Sequence, residues 1–513
     1  MTFFESLLAL LAVAILLLQV SRRIGLPYPA MLAAAGVGLG LIPGAPQIML
    51  DPHTALALFI APVLVDAAFD FPVNAVWRLW RPLFALAVVA VVISAAAVAA
   101  LGVAFAGLPI YAALALGAIV APPDAAAATA ILGSVSMPRR SVAVLKGESL
   151  LNDASALLLF SAALSLHDHA GIDNLLALRL GVAAPGAVLF GIALARLFRL
   201  ITPLVTGTLG GNLLEFVTAF SVWIIADRLG LSPVLCLVAF AMTIARSSAL
   251  STRPRMRIHS FAVWDTAVFL LNVLAFLLMG LQARRIVADM SPERLREAAA
   301  FALAVVACLV VVRMAWVLIY NRLAHRFRAL RGDIEPASLR QGVLIGWCGM
   351  RGLVTLATAF ALPTDFPQRD LIVLTAFAVV LATLVIQGLT LAPLVRLLKL
   401  DGETGLTPEL NAARADLSAA ALATLDGKTG PAAEHWRWAF EITRNATLEP
   451  PDPGPLEAKR SVGLAALRRQ RERLEELRAE QRVGADAFLI LQEELDFTEV
   501  TLSEEAQRHI VES

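Results

Sequence analysis

The chain has 513 residues, of which 58% are hydrophobic and only 16% charged, with a formal net charge of +1. That balance excludes a globular enzyme, gives no basis for a nucleic-acid partner, and points to an integral membrane protein. The charge is unevenly divided: from Asp401 onward 13 Lys/Arg stand against 22 Asp/Glu, net −9, whereas the preceding part holds 29 against 19, net +10. Two regions in different solvents follow, a membrane domain over 1–400 and a solvated tail over 401–513.

The apolar segments are of spanning length and rich in Ala, Leu and Val. That is a helical pattern; membrane barrel strands run ~10 residues and alternate. The reading is therefore all-α, with about thirteen spans of ~20 residues each. They begin near Phe3, Tyr28, Thr54, Leu83, Ile110, Ser141, Asn174, Asn212, Leu231, Ala262, Glu297, Arg340 and Arg369. The first has Glu5, no basic residue ahead of it and no small-residue cleavage site behind it, so it reads as a retained helix rather than a signal peptide. Alternate loops hold most of the basic residues, among them Arg22, Arg23, Arg78, Arg81, Arg139, Arg140, Arg253, Arg328 and Arg331. The positive-inside rule puts these loops and the tail in the cytoplasm and the N-terminus outside, in the cell's inner (plasma) membrane. One loop, with Arg284, Arg285, Arg294 and Arg296, falls on the outer side as an exception.

Three spans carry groups that hydrocarbon does not tolerate unaided. The fifth contains Ala121-Pro122-Pro123-Asp124. Two prolines remove two amide donors and break the helix. Irregular backbone at that depth survives only inside protein or beside a water-filled cavity. The sixth contains Gly147-Glu148-Ser149-Leu150-Leu151-Asn152-Asp153-Ala154. Ser149 and Asp153 are four apart on one helix face, and Glu148 and Asn152 form the neighbouring strip. A charge at mid-membrane costs at least ~2.5–3.5 kcal/mol, so such residues face a partner, a cavity or an ion path. The twelfth contains Gly349-Met350-Arg351-Gly352, a flexible interruption with a cation. Breaks in corresponding places of two halves point to a transporter with inverted repeats and a midplane site.

Cys236, Cys308 and Cys348 each sit alone in an apolar segment, without disulfide or metal-ligand spacing. No Walker A, HExxH, GxSxG or CxxC pattern offers an enzyme or cofactor site. In the tail, Asn411 to Arg444 is helix-like, Pro450 to Pro455 is a hinge, and Leu456 to Gln481 is an amphipathic helix followed by a shorter one after Gly484. It reads as a regulatory or assembly segment.

Taken together these motifs resemble the monovalent cation:proton antiporter 1 family, the sodium/proton exchangers of prokaryotes and animals. Gly147–Ala154 resembles the family's most specific motif, with its Asn-Asp pair, and Trp347–Gly352 its arginine motif. Ala61–Asp66, Phe276–Leu281 and Gln387–Thr390 are similar to three others, and Arg473 to Leu502 resembles the tail of bacterial members. The resemblance implies a homodimer whose protomer has a dimerisation domain and a mobile six-helix bundle with crossed, unwound helices. It implies Asp153 as the carboxylate that binds cation or proton, Ser149 as a ligand oxygen to Na+, Asn152 as a stabiliser and Asp124 at the helix crossing. It also implies a structural ion pair between Glu148 and Arg351. One departure stands out: many members have Thr-Asp where this chain has Pro123-Asp124, so one hydroxyl ligand is missing.

The expected function is secondary antiport of a monovalent cation, Na+ first, against H+, electroneutral and by alternating access. The bilayer, the transported ions and a second copy of the chain are the implied partners, with no resident cofactor. A K+/H+ antiporter on the same scaffold is the alternative. A tail-gated cation channel comes third, since nothing resembles a carbonyl filter of the TVGYG kind.

Overall fold

With no water to take up backbone amides, spanning segments must bond within themselves. In the computed structural model all regular structure among the described residues is helical. The structure describes residues 3–24, 27–40, 52–124, 139–168, 174–205, 209–248, 254–331, 335–400, 406–448 and 451–503. Two compact units emerge, Met1–Glu403 and Thr404–Glu512.

The first unit opens with α1 (Phe3–Ile24), α2 (Tyr28–Leu39) and α3 (Pro52–Asp70). Next, α4 (Val73–Phe84) runs through a π-helical turn at Ala85–Val89 into α5 (Ala90–Ala106), followed by α6 (Ile110–Val120). Then come α7 (Arg139–Asp168), α8 (Asn174–Val205), α9 (Leu209–Arg228), α10 (Pro233–Ser248), α11 (Pro254–Asp289) and α12 (Pro292–Arg326). A single turn at Arg328–Arg331 leads to α13 (Leu339–Trp347), α14 (Leu353–Phe360) and α15 (Arg369–Leu397). Six of these stretches are long and apolar enough to cross a membrane unaided, Val73–Ala106, Ser141–His167, Gly181–Thr202, Arg257–Ala288, Pro292–Arg326 and Arg369–Leu397. The others are shorter or more polar, which fits helices broken or shielded inside a bundle.

Both expected breaks are present. α6 stops at Val120, ahead of the two prolines, and residues 125–138 of the expected fifth span lie outside the described residues. α13 starts on a capping box, with Ser338 Oγ accepting from the Gln341 amide and the Gln341 side chain accepting from the Ser338 amide. It ends at Trp347, and Cys348–Gly352 is irregular before α14 resumes.

Two expectations need correction. Arg78 and Arg81 were placed in a loop, but they lie on α4, an amphipathic helix that buries Leu79 and Leu83. The helix therefore begins at Val73, about ten residues ahead of the apolar stretch that starts near Leu83. The π turn widens the helix just after Pro82 and leaves the Ala85 carbonyl to accept from Trp316 Nε1 at 2.8 Å. In the tail, the helix expected over Asn411 to Arg444 is two: α16 (Leu406–Ala423) and α17 (Pro431–Asn445). Gly427 and Gly430, at φ +73° and +109°, make the turn between them, a backbone region open to glycine. α18 (Gly454–Ala479) and α19 (Ala485–Leu502) complete the second unit as a hairpin. Arg471 bridges the pair to Asp496 and Glu499, each at 2.5 Å, and Arg478 lies over the Phe488 ring.

Candidate ion-binding site at the helix crossing

Helical spacing on α7 produces the two polar strips expected from the sequence. Glu148 and Asn152 are fully buried, Asp153 is 6% exposed and Ser149 is half-buried one turn before it. The neighbours of these groups come from the two broken segments, which meet each other beside α7. The Asp124 amide donates to the Met350 carbonyl at 2.6 Å. At Gly352 a Cβ would collide with the Asp124 carboxylate, so the approach of the two chains depends on a residue without one.

A helix that ends inside a protein leaves carbonyls without partners, at the negative end of its dipole. Here α6 ends against Arg351, which is wholly buried. Arg351 Nε donates to the Val120 carbonyl at 3.0 Å and Nη2 to that of Ala121 at 3.4 Å, while Nη1 donates to the Gly349 carbonyl of its own segment. Its backbone amide donates to Thr383 Oγ1 on α15 at 3.1 Å. Two residues further on, the Pro123 carbonyl accepts from Asn152 Nδ2 at 2.7 Å. Asn152 thus ties α7 to the break, and its Oδ1 is buried without a hydrogen-bond partner in the structure.

The expected pair between Glu148 and Arg351 is not formed. Glu148 is bound by Arg313 of α12 in a two-pronged pair, Nη1 to Oε1 at 2.6 Å and Nη2 to Oε2 at 3.0 Å. Arg313 Nη2 also reaches the Ile345 and Cys348 carbonyls, at 3.2 and 3.4 Å, where α13 ends. The physical reason is division of labour. Each break exposes carbonyls, and each receives one buried guanidinium: Arg351 at the end of α6, Arg313 at the end of α13. Only Arg313 has a carboxylate in contact. Sequence reasoning passed over Arg313, although it is a charge inside an apolar run and the rule applied to Glu148 and Arg351 selects it too.

Both buried cations are thereby engaged, and no guanidinium contacts Asp153 among the described residues. A second carboxylate belongs to the same crossing: Asp124 follows Pro123, whose carbonyl Asn152 of α7 holds. An almost desolvated carboxylate near a second one must be neutralised, by a proton or by a cation. Oxygen donors are what a hard cation takes, and Asp153, the half-buried Asp124 and Ser149, and the open Asn152 Oδ1 supply them. Among the described residues no cluster of three or more His, Cys, Asp or Glu side chains suits a bound metal.

Comparison with known proteins bears on the chain as a whole. The model of the family described as sodium/hydrogen exchanger, transmembrane, matches residues 8–397. An uncharacterised Na+/H+ exchanger of Mycobacterium tuberculosis is 28% identical, with 98% of this chain and 96% of the relative covered. The sodium, potassium, lithium and rubidium/H+ antiporter of Bacillus subtilis is 30% identical over 76% of this chain and 61% of its own. Among solved structures, the sodium proton antiporter MjNhaP1 of Methanocaldococcus jannaschii superposes with a TM-score of 0.59 at 18% identity. That match covers 79% of this chain and 100% of the other, and it is a likeness of fold.

Proposed function

The chain belongs to the sodium/hydrogen exchanger family, and we propose that it exchanges Na+ for H+ with Asp153 as the single site at which the two compete. The observation that supports this reading is the arginine arrangement: both buried guanidinium groups serve other acceptors, and among the described residues none contacts Asp153. A group in that position binds a proton or a monovalent cation, never neither and never both. Ser149 supplies a ligand oxygen, Asn152 holds the crossing in place, and Asp124 adds negative charge at the break. Movement of the helices that carry the crossing, relative to the rest of the first unit, exposes Asp153 to each side in turn. The ion and proton gradients set the direction.

The protein sits in the inner membrane with the N-terminus outside and the tail in the cytoplasm, an orientation supported by the alternation of basic loops; the homodimer rests on the family resemblance alone. One proton per cation makes the exchange electroneutral.

A second reading, K+/H+ exchange, is favoured by one feature. Pro123 occupies the position where many members have threonine, so the site has one hydroxyl fewer. The Bacillus subtilis relative carries several alkali cations in its name. Everted vesicles containing the protein separate the two: addition of Na+, but not K+, is expected to release protons from an acidified lumen. Release by K+ alone selects the second reading, and release by neither overturns both.

A further inference from the structure

The helix made by α4, the π turn and α5 is 34 residues long. At 1.5 Å per residue it measures about 51 Å, against ~30 Å of hydrocarbon, and an average tilt of ~20° shortens it little. About a third of it therefore lies in the headgroup zone. That third is the α4 end, because Ala90–Ala106 is apolar apart from Ser94, whereas α4 carries Arg78 and Arg81. On α4, Trp77, Trp80 and Phe84 follow one stripe and face outward, the two indoles 75% and 53% exposed. Indoles placed so sit at the boundary of hydrocarbon and water.

The arginines beside them are held in position. The Arg81 guanidinium lies over the Trp80 ring, 5.4 Å from its centroid, and Nη1 donates to the Arg328 carbonyl at 3.4 Å. Arg331, at the other end of that turn, lines the same small cavity as Pro82 of α4. Among the described residues no carboxylate pairs with Arg78, Arg81 or Arg331. Arg78 and Arg81, one turn apart on α4, and Arg331 on the adjoining turn thus lie at an aromatic interface without a carboxylate partner among the described residues.

We propose that Trp77, Arg78, Trp80, Arg81 and the Arg328–Arg331 turn bind the headgroup of an anionic phospholipid. The indoles set the depth, and the guanidinium groups meet the phosphate, their matching acceptor. The lipid ties the start of the long α4–α5 helix and the C-terminal end of α12 to the membrane surface.

The test is a thermal-shift titration of the full-length protein in neutral detergent with dioctanoyl-phosphatidylglycerol, dioctanoyl-phosphatidylcholine or inorganic phosphate. The glycerol lipid is expected to raise the melting temperature, and the other two to leave it unchanged. The variant Arg78→Gln/Arg81→Gln/Arg331→Gln should need roughly tenfold or more lipid for the same shift, while the corresponding three-lysine variant keeps most of the response. A shift by phosphate equal to that by the lipid would mean a free-anion site and overturn the proposal, as would a wild-type response from the three-glutamine variant. If that variant does not fold, the single variants Arg78→Gln and Arg331→Gln carry the test. Each should lose part of the response, and full responses from both overturn it.

Discussion

At the scale of single residues, the site is defined by which charges have partners. Asp153 is nearly buried and has no guanidinium contact, so its substitution is expected to remove the exchangeable charge and leave the scaffold standing. Asp153→Asn should abolish cation-dependent proton movement in proteoliposomes while the purified protein keeps its melting temperature; normal exchange by that variant would refute the assignment. Glu148 and Arg313 are the opposite case. Their bonds of 2.6 and 3.0 Å lie where both side chains are at most 3% exposed, and removal of one partner leaves a buried charge alone, at a typical cost of ~3–5 kcal/mol. Glu148→Gln and Arg313→Gln should each depress thermal stability in detergent strongly. The double variant should recover part of the loss, with a coupling of about 0.5–3 kcal/mol. The same cycle run with Arg351→Gln in place of Arg313→Gln should come out close to additive. Coupling of Glu148 to Arg351 in place of Arg313 would contradict the geometry described above.

At the scale of elements, two broken helices are held by hydrogen bonds that unbroken helices would not need. The chain ends of α6 and α13 present carbonyls, and arginine and asparagine side chains from α7, α12 and the second break take them up. The closeness of the crossing rests on Gly352. Gly352→Ala places a methyl group against the Asp124 carboxylate, and such overpacking costs about 1–3 kcal/mol as the segments move apart. Reduced melting temperature together with impaired exchange is expected. A variant with wild-type stability and transport would mean that the two breaks do not touch. Proline on one side and glycine on the other do different work here: Pro122 and Pro123 end α6 by removing amides, whereas Gly349 and Gly352 let the second segment pass close by.

At the scale of the whole molecule, the proposed exchange requires a multi-pass helical unit that exposes Asp153 to each side of the membrane in turn. With Arg313 matched by Glu148 and no guanidinium on Asp153 among the described residues, the proposed exchange puts one proton or one monovalent cation on Asp153. Exchange should then move no net charge. In proteoliposomes without ionophore, an imposed Na+ gradient is expected to move protons without building a membrane potential. A sustained potential would mean that Asp124 carries a second proton.

The fold class and the helix faces that carry the candidate residues were legible in the sequence. Long apolar runs leave the backbone only helices, and four-residue spacing puts Ser149 with Asp153 and Glu148 with Asn152 whatever surrounds them. Proline and glycine in mid-span announce the breaks for the same local reason. What the sequence did not reveal was partnership. Glu148 lies 165 residues from Arg313, and helical periodicity tells which face a side chain occupies, not which helix stands opposite. Two arginines competed for one glutamate, and only the packing of α12 against the end of α13 decided between them. That no guanidinium among the described residues contacts Asp153 is likewise a tertiary fact, since it depends on where both arginines are already bound.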